Sequence, residues 1–191
     1  SSPDTNQRLT LGGTNTGDNR LAALVANNGV GETSLSKTGT GTWILTNPDS
    51  TYTGVTTITG GVLGVDKLAD GGLASSIGMS SGASANLVIG NGGTLRYTGT
   101  GDTTNRGFTL AAGTTAIQSS GTGAVEFNNA NAIAYSGNGL RVISLGGVNA
   151  DDNIMGASIG DQNASNITAL AKNDAGKWIL TGDNAYTGST N

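Results

Sequence analysis

The chain contains no cysteine and no histidine. Their absence excludes disulfide stapling, thiol nucleophiles, the Ser-His-Asp triad and most zinc sites. Lack of cysteine is also compatible with a secreted bacterial product. Proline occurs twice in 191 residues, and no Gly-X-Y period runs through the chain, so a collagen triple helix is excluded. Eight residues are aromatic. Nine basic and 13 acidic residues give a net charge of −4, and the basic ones are scattered. Nucleic-acid binding needs a clustered basic footprint and is set aside. No apolar run approaches the ~20 residues that span a bilayer, which argues against membrane insertion by this segment. The chain starts Ser1-Ser2-Pro3, without the basic and apolar start of a signal peptide. Any export signal is expected outside it or already removed.

What the chain does have is 33 Gly, 27 Thr, 20 Asn and 17 Ser, about half of all residues. That much Gly, Thr and Asn opposes a helical bundle. Low charge with frequent Thr, Val and Ile opposes disorder. An all-β chain with many tight turns remains. Its length allows one domain or a slice of something larger.

An internal repeat is the strongest signal. Leu35-Ser-Lys37-Thr-Gly-Thr-Gly41-Thr-Trp43-Ile44-Leu45-Thr46 returns as Leu170-Ala-Lys172-Asn-Asp-Ala-Gly176-Lys-Trp178-Ile179-Leu180-Thr181, and Tyr52-Thr-Gly54 returns as Tyr186-Thr-Gly188. Upstream, residues 8–19 align with 141–153. Residues 8–56 and 141–190 share about twenty identities at an offset of 133 to 135. Residues 57–140 are expected to form intervening coils. There, strand-like pieces of four to six residues recur at 56–59, 61–65, 86–89, 94–97, 107–110, 115–118, 124–127 and 132–135, with two more at 141–145 and 177–180. Asn-Gly and Gly-Gly pairs punctuate them, as positive-φ turns require. Residues 21–25 have helical spacing. Their repeat partner, 155–159, is a poor helix former, so both read as strand or extended. Residues 66–80 read as a loop or a short helical excursion.

Short strands suit a sandwich or a solenoid, and an open-ended repeat selects the solenoid. At ~20–25 residues per coil, eight or nine coils would stack at ~4.8 Å into a rod of about 40 Å. All 191 residues then form one β-solenoid segment of a longer chain. Period-two alternation places Trp43, Leu45, Trp178 and Leu180 in the core, with Leu35, Tyr52, Leu170 and Tyr186. Thr42 and Lys177 should face solvent. Ile44 and Ile179 should face outward or into a second layer. Gly12, Gly13, Asp18, Gly54, Gly146, Gly147, Asp152 and Gly188 should make the turns, with Asp18 and Asp152 capping their own backbone.

The pattern L-x-K-x-G-x-G-x-W-I-L-T-x-x-x-x-Y-T-G-x-T-T-I-x-G-G-x-L, nearly complete over 35–65 and present again from 170, resembles the autotransporter-associated β-strand repeat, or passenger-associated transport repeat. The resemblance implies a right-handed parallel β-helix in the passenger of a Gram-negative autotransporter, outside the cell. Such passengers are associated with export, surface display, adhesion and biofilm. It implies a structural stalk or adhesin segment without cofactor. The partners implied are neighbouring coils, copies of itself end to end, and receptors or glycans on a cell surface. A self-assembling extracellular fibre is the alternative sharing this fold. A carbohydrate-active β-helix enzyme is the other. Its candidate groups are Asp66 with Asp70, Asp102, Glu126 and Asp151-Asp152, with Arg96, Arg106 and Arg141. Adjacent strand residues point to opposite faces, so Asp151 and Asp152 would not converge. The Ca²⁺-binding nonapeptide is absent, because residues 12–18 miss its spacing. Formal sequons at Asn163 and Asn166 read as turns in a bacterial product.

Overall fold

The computed structural model describes residues 4–191, and Ser1–Pro3 lie outside the described residues. Thr, Val, Ile and Leu in short runs favour strands, and Gly and Asn between them permit sharp corners. The chain accordingly winds into a β-solenoid in which each strand pairs in parallel with strands of the turns before and after it.

The strands stack on three sides. The first side holds β1 (Gln7–Leu11), β3 (Thr33–Lys37), β5 (Thr56–Ile58), β7 (Leu87–Ile89), and the first parts of β10 (Thr109–Ser119) and β12 (Ala134–Gly146). The second side holds β2 (Asp18–Leu21), β4 (Thr42–Leu45), β6 (Gly61–Val65), β8 (Gly93–Tyr97), the later parts of β10 and β12, and β14 (Thr168–Lys172). The third side is made of loops in the early turns. It becomes a sheet with β9 (Thr100–Thr104), β11 (Gly123–Phe127), β13 (Asn153–Met155) and β15 (Trp178–Leu180). β10 and β12 run round the corner between the first two sides. Their pairing shifts register between Ala111 and Gly113, and Gly113 has φ +98°. Single residues at positive φ turn such corners where a Cβ is absent.

The solenoid has about seven turns, not eight or nine. One rung separates Leu35 from Thr56, 21 residues on, but also Thr56 from Leu87, 31 residues on. The longer turn carries residues 66–83, a looped excursion without strand or α-helix, followed by a 3-10 turn at Ser84–Asn86. Residues 22–25 and 156–159 contain no helix either. β9, whose sequence is Thr-Gly-Asp-Thr-Thr, has no apolar residue. Its pairing with β11 and the inward, fully buried Thr104 hold it in place.

Inward residues form ladders along the rod. Trp43, Leu63, Leu95, Ile117 and Leu145 stand in register on the second side. Leu11, Lys37, Ile58, Ile89 and Leu110 do so on the first. On the third side, Phe127 pairs with Met155, and its ring meets Phe108 edge-on at 5.8 Å. Truncating a mid-ladder residue removes contacts to the rungs on both sides. Leu95→Ala should therefore cost about 2–5 kcal/mol by urea denaturation, whereas Thr10→Ala, exposed on β1, should stay within about 0.5 kcal/mol.

Candidate functional site: the repeat clamp

In the second copy, Leu170, Lys172, Trp178, Leu180 and Thr190 line a cavity of about 360 Å³; what the two copies have in common is their bonding. The repeated residues form a set of hydrogen bonds, many of which tie one turn to its neighbour, and the two copies share most of it.

β4 places Trp43 over the Gly12-Gly13 corner of the preceding turn, and its indole Nε1 donates to the Gly12 carbonyl at 2.8 Å. Trp178 donates to the Gly146 carbonyl at 2.9 Å. Both indoles pack against the core but are only half-buried. The rung before Trp43 carries Asn19, and the rung before Trp178 carries Asn153. Those amides donate across the rung, Asn19 to the Thr42 carbonyl at 2.7 Å and Asn153 to the Lys177 carbonyl at 2.8 Å.

Lys37 is fully buried in the first-side ladder between Leu11 and Ile58. Its ammonium donates to the carbonyls of Thr38 at 2.8 Å, Gly39 at 3.0 Å and Gly60 at 2.9 Å. The first two lie at its own corner and the third on the next turn. Burial lowers its pKa from the ordinary lysine value. Lys172 makes the corresponding pair of bonds to the carbonyls of Asn173 and Asp174, each at 2.8 Å, and is exposed. The Tyr52 hydroxyl meets Thr56 Oγ1 of the next turn at 2.7 Å, and Tyr186 meets Thr190 at 2.8 Å. Burial raises the Tyr52 phenol far above its usual pKa.

One pair was not visible in the sequence alignment. Asn27 Oδ1 accepts from the backbone N–H of Thr33 and of Thr53, both at 3.0 Å. Asp161 takes the same place, accepting from Thr168 N–H at 2.7 Å, and from Thr187 through Oγ1 at 2.6 Å and its N–H at 3.2 Å. These bonds hold the Asp161 carboxyl below the usual carboxylate range. The two copies carry different residue types here, so identity could not reveal the shared role. Hydrogen-bond logic could have: a carboxylate and an amide oxygen both accept.

The other predicted residues are placed as follows. Leu35, Leu45, Tyr52 and Leu170 are buried, while Leu180 and Tyr186 are partly buried. Thr42 is 5% exposed rather than solvent-facing, whereas Lys177 is exposed and pairs with Asp152. Ile44 lies outside the core cluster yet is only 5% exposed, packed over Gly64. Gly13 and Gly147 have φ of +104° and +99° at equivalent corners, next to Gly12 and Gly146. A Cβ on Gly54 or Gly188 would collide with the Thr33 or Thr168 carbonyl of the neighbouring segment. Asp18 and Asp152 do not cap their own backbone. Asp18 opens β2 and pairs with Arg20 at 3.2 Å. Capping falls to Asn15 and Asn149, whose Oδ1 atoms accept from Gly17 N–H at 3.0 Å and Asp151 N–H at 3.1 Å. Their amide oxygens sit two residues before the N–H they accept, the Asx-turn arrangement.

Of the groups weighed for carbohydrate chemistry, all but Glu126 make hydrogen bonds or ion pairs within the rod. Asp102 accepts from Leu68 N–H at 3.0 Å and the Tyr97 hydroxyl at 3.2 Å. Asp70 accepts from Asn105 N–H, and Asp66 from Thr98. Arg106 and Arg141 are buried and donate mainly to backbone carbonyls. Arg96 donates to Gln118. An open groove of about 430 Å³ is lined by Gly101, Asp102, Thr103, Ala124, Glu126 and Asp152, with no basic residue on its wall. Among the described residues, no three carboxylates gather as a metal site would need.

Residues 35–65 and 170–191 match the passenger-associated-transport-repeat family model. Fold and clamp together define the class: the chain is a β-solenoid segment bearing two such repeats, of the kind found in autotransporter passengers. Over 189 residues, 98% of this chain, it is 61% identical to the adhesin BmaC autotransporter of Brucella suis biovar 1 (strain 1330). The chain spans 6% of the length of that relative. No solved structure matches it.

Three measurements test the clamp. Lys37→Met keeps the stem's apolar contacts but leaves three carbonyls without their donor, each worth about 1–3 kcal/mol when buried. It should destabilise by at least about 2 kcal/mol, and Lys172→Met, at an exposed site, by much less. A raised tyrosine pKa contributes stability that is complete below the unfolded value of 10.0 and is lost as pH rises above it. Thermal melts should therefore fall steeply above pH 10, and less steeply in Tyr52→Phe. The depressed Asp161 pKa acts in the opposite direction, with stability present above the ordinary aspartate value of 3.8 and lost as pH falls below it. Asp161→Asn, copying Asn27, should flatten that acid limb while keeping the fold.

Proposed function

We propose that this chain is a structural stalk and adhesin segment of a large autotransporter-type passenger displayed on the outer surface of a Gram-negative bacterium. The observation that carries the reading is the clamp itself. The repeat residues that define the family match are spent on joining turns, with their polar atoms directed at carbonyls and hydroxyls of the rod. Sequence likeness to a long autotransporter adhesin supports the surface location and the adhesive role. The segment acts as one solenoid unit within a longer chain. It supports export and display by folding turn upon turn, and it offers its flat sides to receptors or glycans on a neighbouring surface. Its role is structural rather than enzymatic: Asp66, Asp70 and Asp102 accept hydrogen bonds within the rod, and Arg106 and Arg141 donate mainly to backbone carbonyls. Biofilm formation follows if the partner surface is another bacterium.

In-frame removal of the segment from the parent protein tests this. The shortened passenger should still reach the surface, scored by antibody labelling of intact cells, and adhesion to host cells or to sister cells should fall. Unchanged adhesion with unchanged display would sink the adhesive role. Release of reducing ends from neutral or acidic glycans by the purified segment, abolished in Asp151→Ala or Glu126→Ala, would replace it with an enzymatic one.

A further inference from the structure

The two repeat copies share most of their bonds but not their side of the rod. In the first copy, the Leu35–Lys37 strand lies on the first side and the Trp43 strand on the second. In the second copy, the Leu170–Lys172 strand lies on the second side and the Trp178 strand on the third. The pairing chain shows this rung by rung. Trp43 pairs with Leu63, Leu63 with Leu95, Leu95 with Ile117, Ile117 with Leu145, and Leu145 with Lys172. The tryptophan of one copy and the lysine of the next therefore occupy a single ladder. The first-side ladder of Ser36 instead runs through Thr57, Val88 and Thr109 to Ala134, and never reaches Ala171.

Five rungs separate β4 from β14, and one side separates β3 from β4. We infer that each repeat advances the motif by five full turns plus one side, so that the motif face winds around the rod instead of forming a stripe along it. With three sides, the motif returns to its starting side after three copies. That is sixteen turns, about 75–80 Å at the spacing of stacked strands. A surface arranged in this way suits partners that reach the rod from any direction. It does not suit flat sheets of rods joined along one motif face, because neighbouring copies would point away from the junction. For its biological consequence this rests on the surface-display reading above; the winding itself does not.

Because the chain has no cysteine, introduced pairs report adjacency alone. Directly paired residues on neighbouring rungs lie ~4.8 Å apart, within the Cα range that a disulfide tolerates. Thr57→Cys with Val88→Cys is the reference pair, since these residues are partners on the first side. Ser144→Cys with Ala171→Cys tests the winding, for Ser144 and Ala171 are partners on the second. Ala134→Cys with Ala171→Cys tests a motif that stays on one side. Under mild oxidation, read by mass spectrometry of the folded chain, the first two pairs should cross-link to similar extents and the third should not. Cross-linking of 134 with 171 would overturn the inference. So would failure of 144 with 171 while the reference pair forms. In the long parent, spin labels at Ser36 and Ala171 should report a separation larger than the axial rise alone, and a separation equal to the rise would also overturn it.

Discussion

A turn of this solenoid makes few backbone hydrogen bonds within itself. The N–H and C=O groups of its strands point along the rod and find partners only on the turns before and after. A buried peptide group without a partner costs as much as a lost hydrogen bond, so no turn is stable alone. Stability is consequently a nearest-neighbour quantity, and an interface between two turns is its unit. The side chains that matter most are those that strengthen that interface where the ladder is weakest.

The ladder is weakest at the corners. There the chain leaves β geometry, and carbonyls such as those of Gly12, Thr38, Gly39 and Gly60 turn out of the strand-to-strand pattern. The repeat residues are donors aimed at these groups. An indole N–H serves one, and an asparagine amide serves another. A single ammonium serves three, which is why a lysine can stand between Leu11 and Ile58 without a carboxylate partner. Desolvation works against the charged form, and three aligned carbonyl dipoles offset it. Arg106 follows the same logic at larger scale. Its guanidinium donates to carbonyls of Ala69, Asp70, Leu73, Gly78 and Ser80 and so fixes the excursion of residues 66–83. A chain with few charges uses several of them as hubs for backbone carbonyls instead of in ion pairs.

The parallel solenoid was legible because Trp, Lys and Tyr recur at one spacing between Gly-rich corners, a pattern that an isolated sandwich does not need. The apolar strands were legible for the same reason. β9 was not, since its sequence carries no apolar signal and its strand geometry is imposed by the rung above it. The near-complete burial of Thr42 was also hidden, because alternation gives a side of the sheet and not what covers it. Asn27 and Asp161 do one job with two side chains, so a search for identities passes over them. The reassignment from Asp18 and Asp152 to Asn15 and Asn149 has a related cause. Both residue types favour turns, and only the positions of the N–H groups decide which oxygen accepts.

The winding of the repeat was hidden for a deeper reason. A sequence period counts residues, whereas the side on which a motif falls depends on how many strand segments lie between copies. The two counts are separable here. The step from Thr56 to Leu87 takes 31 residues and the step from Leu35 to Thr56 takes 21, yet each advances the rod by one rung. The extra residues form the excursion of 66–83, which sends Leu68 and Ile77 into the core and is pinned by Arg106, and β5 and β7 still pair directly. An insertion in such a loop lengthens the period and leaves the phase untouched. Loss or gain of one short strand, by contrast, would change the phase while barely altering the period. A rod built on this plan can therefore vary in loop sequence and keep the direction in which each motif points, because direction is set by the ladder that all turns share.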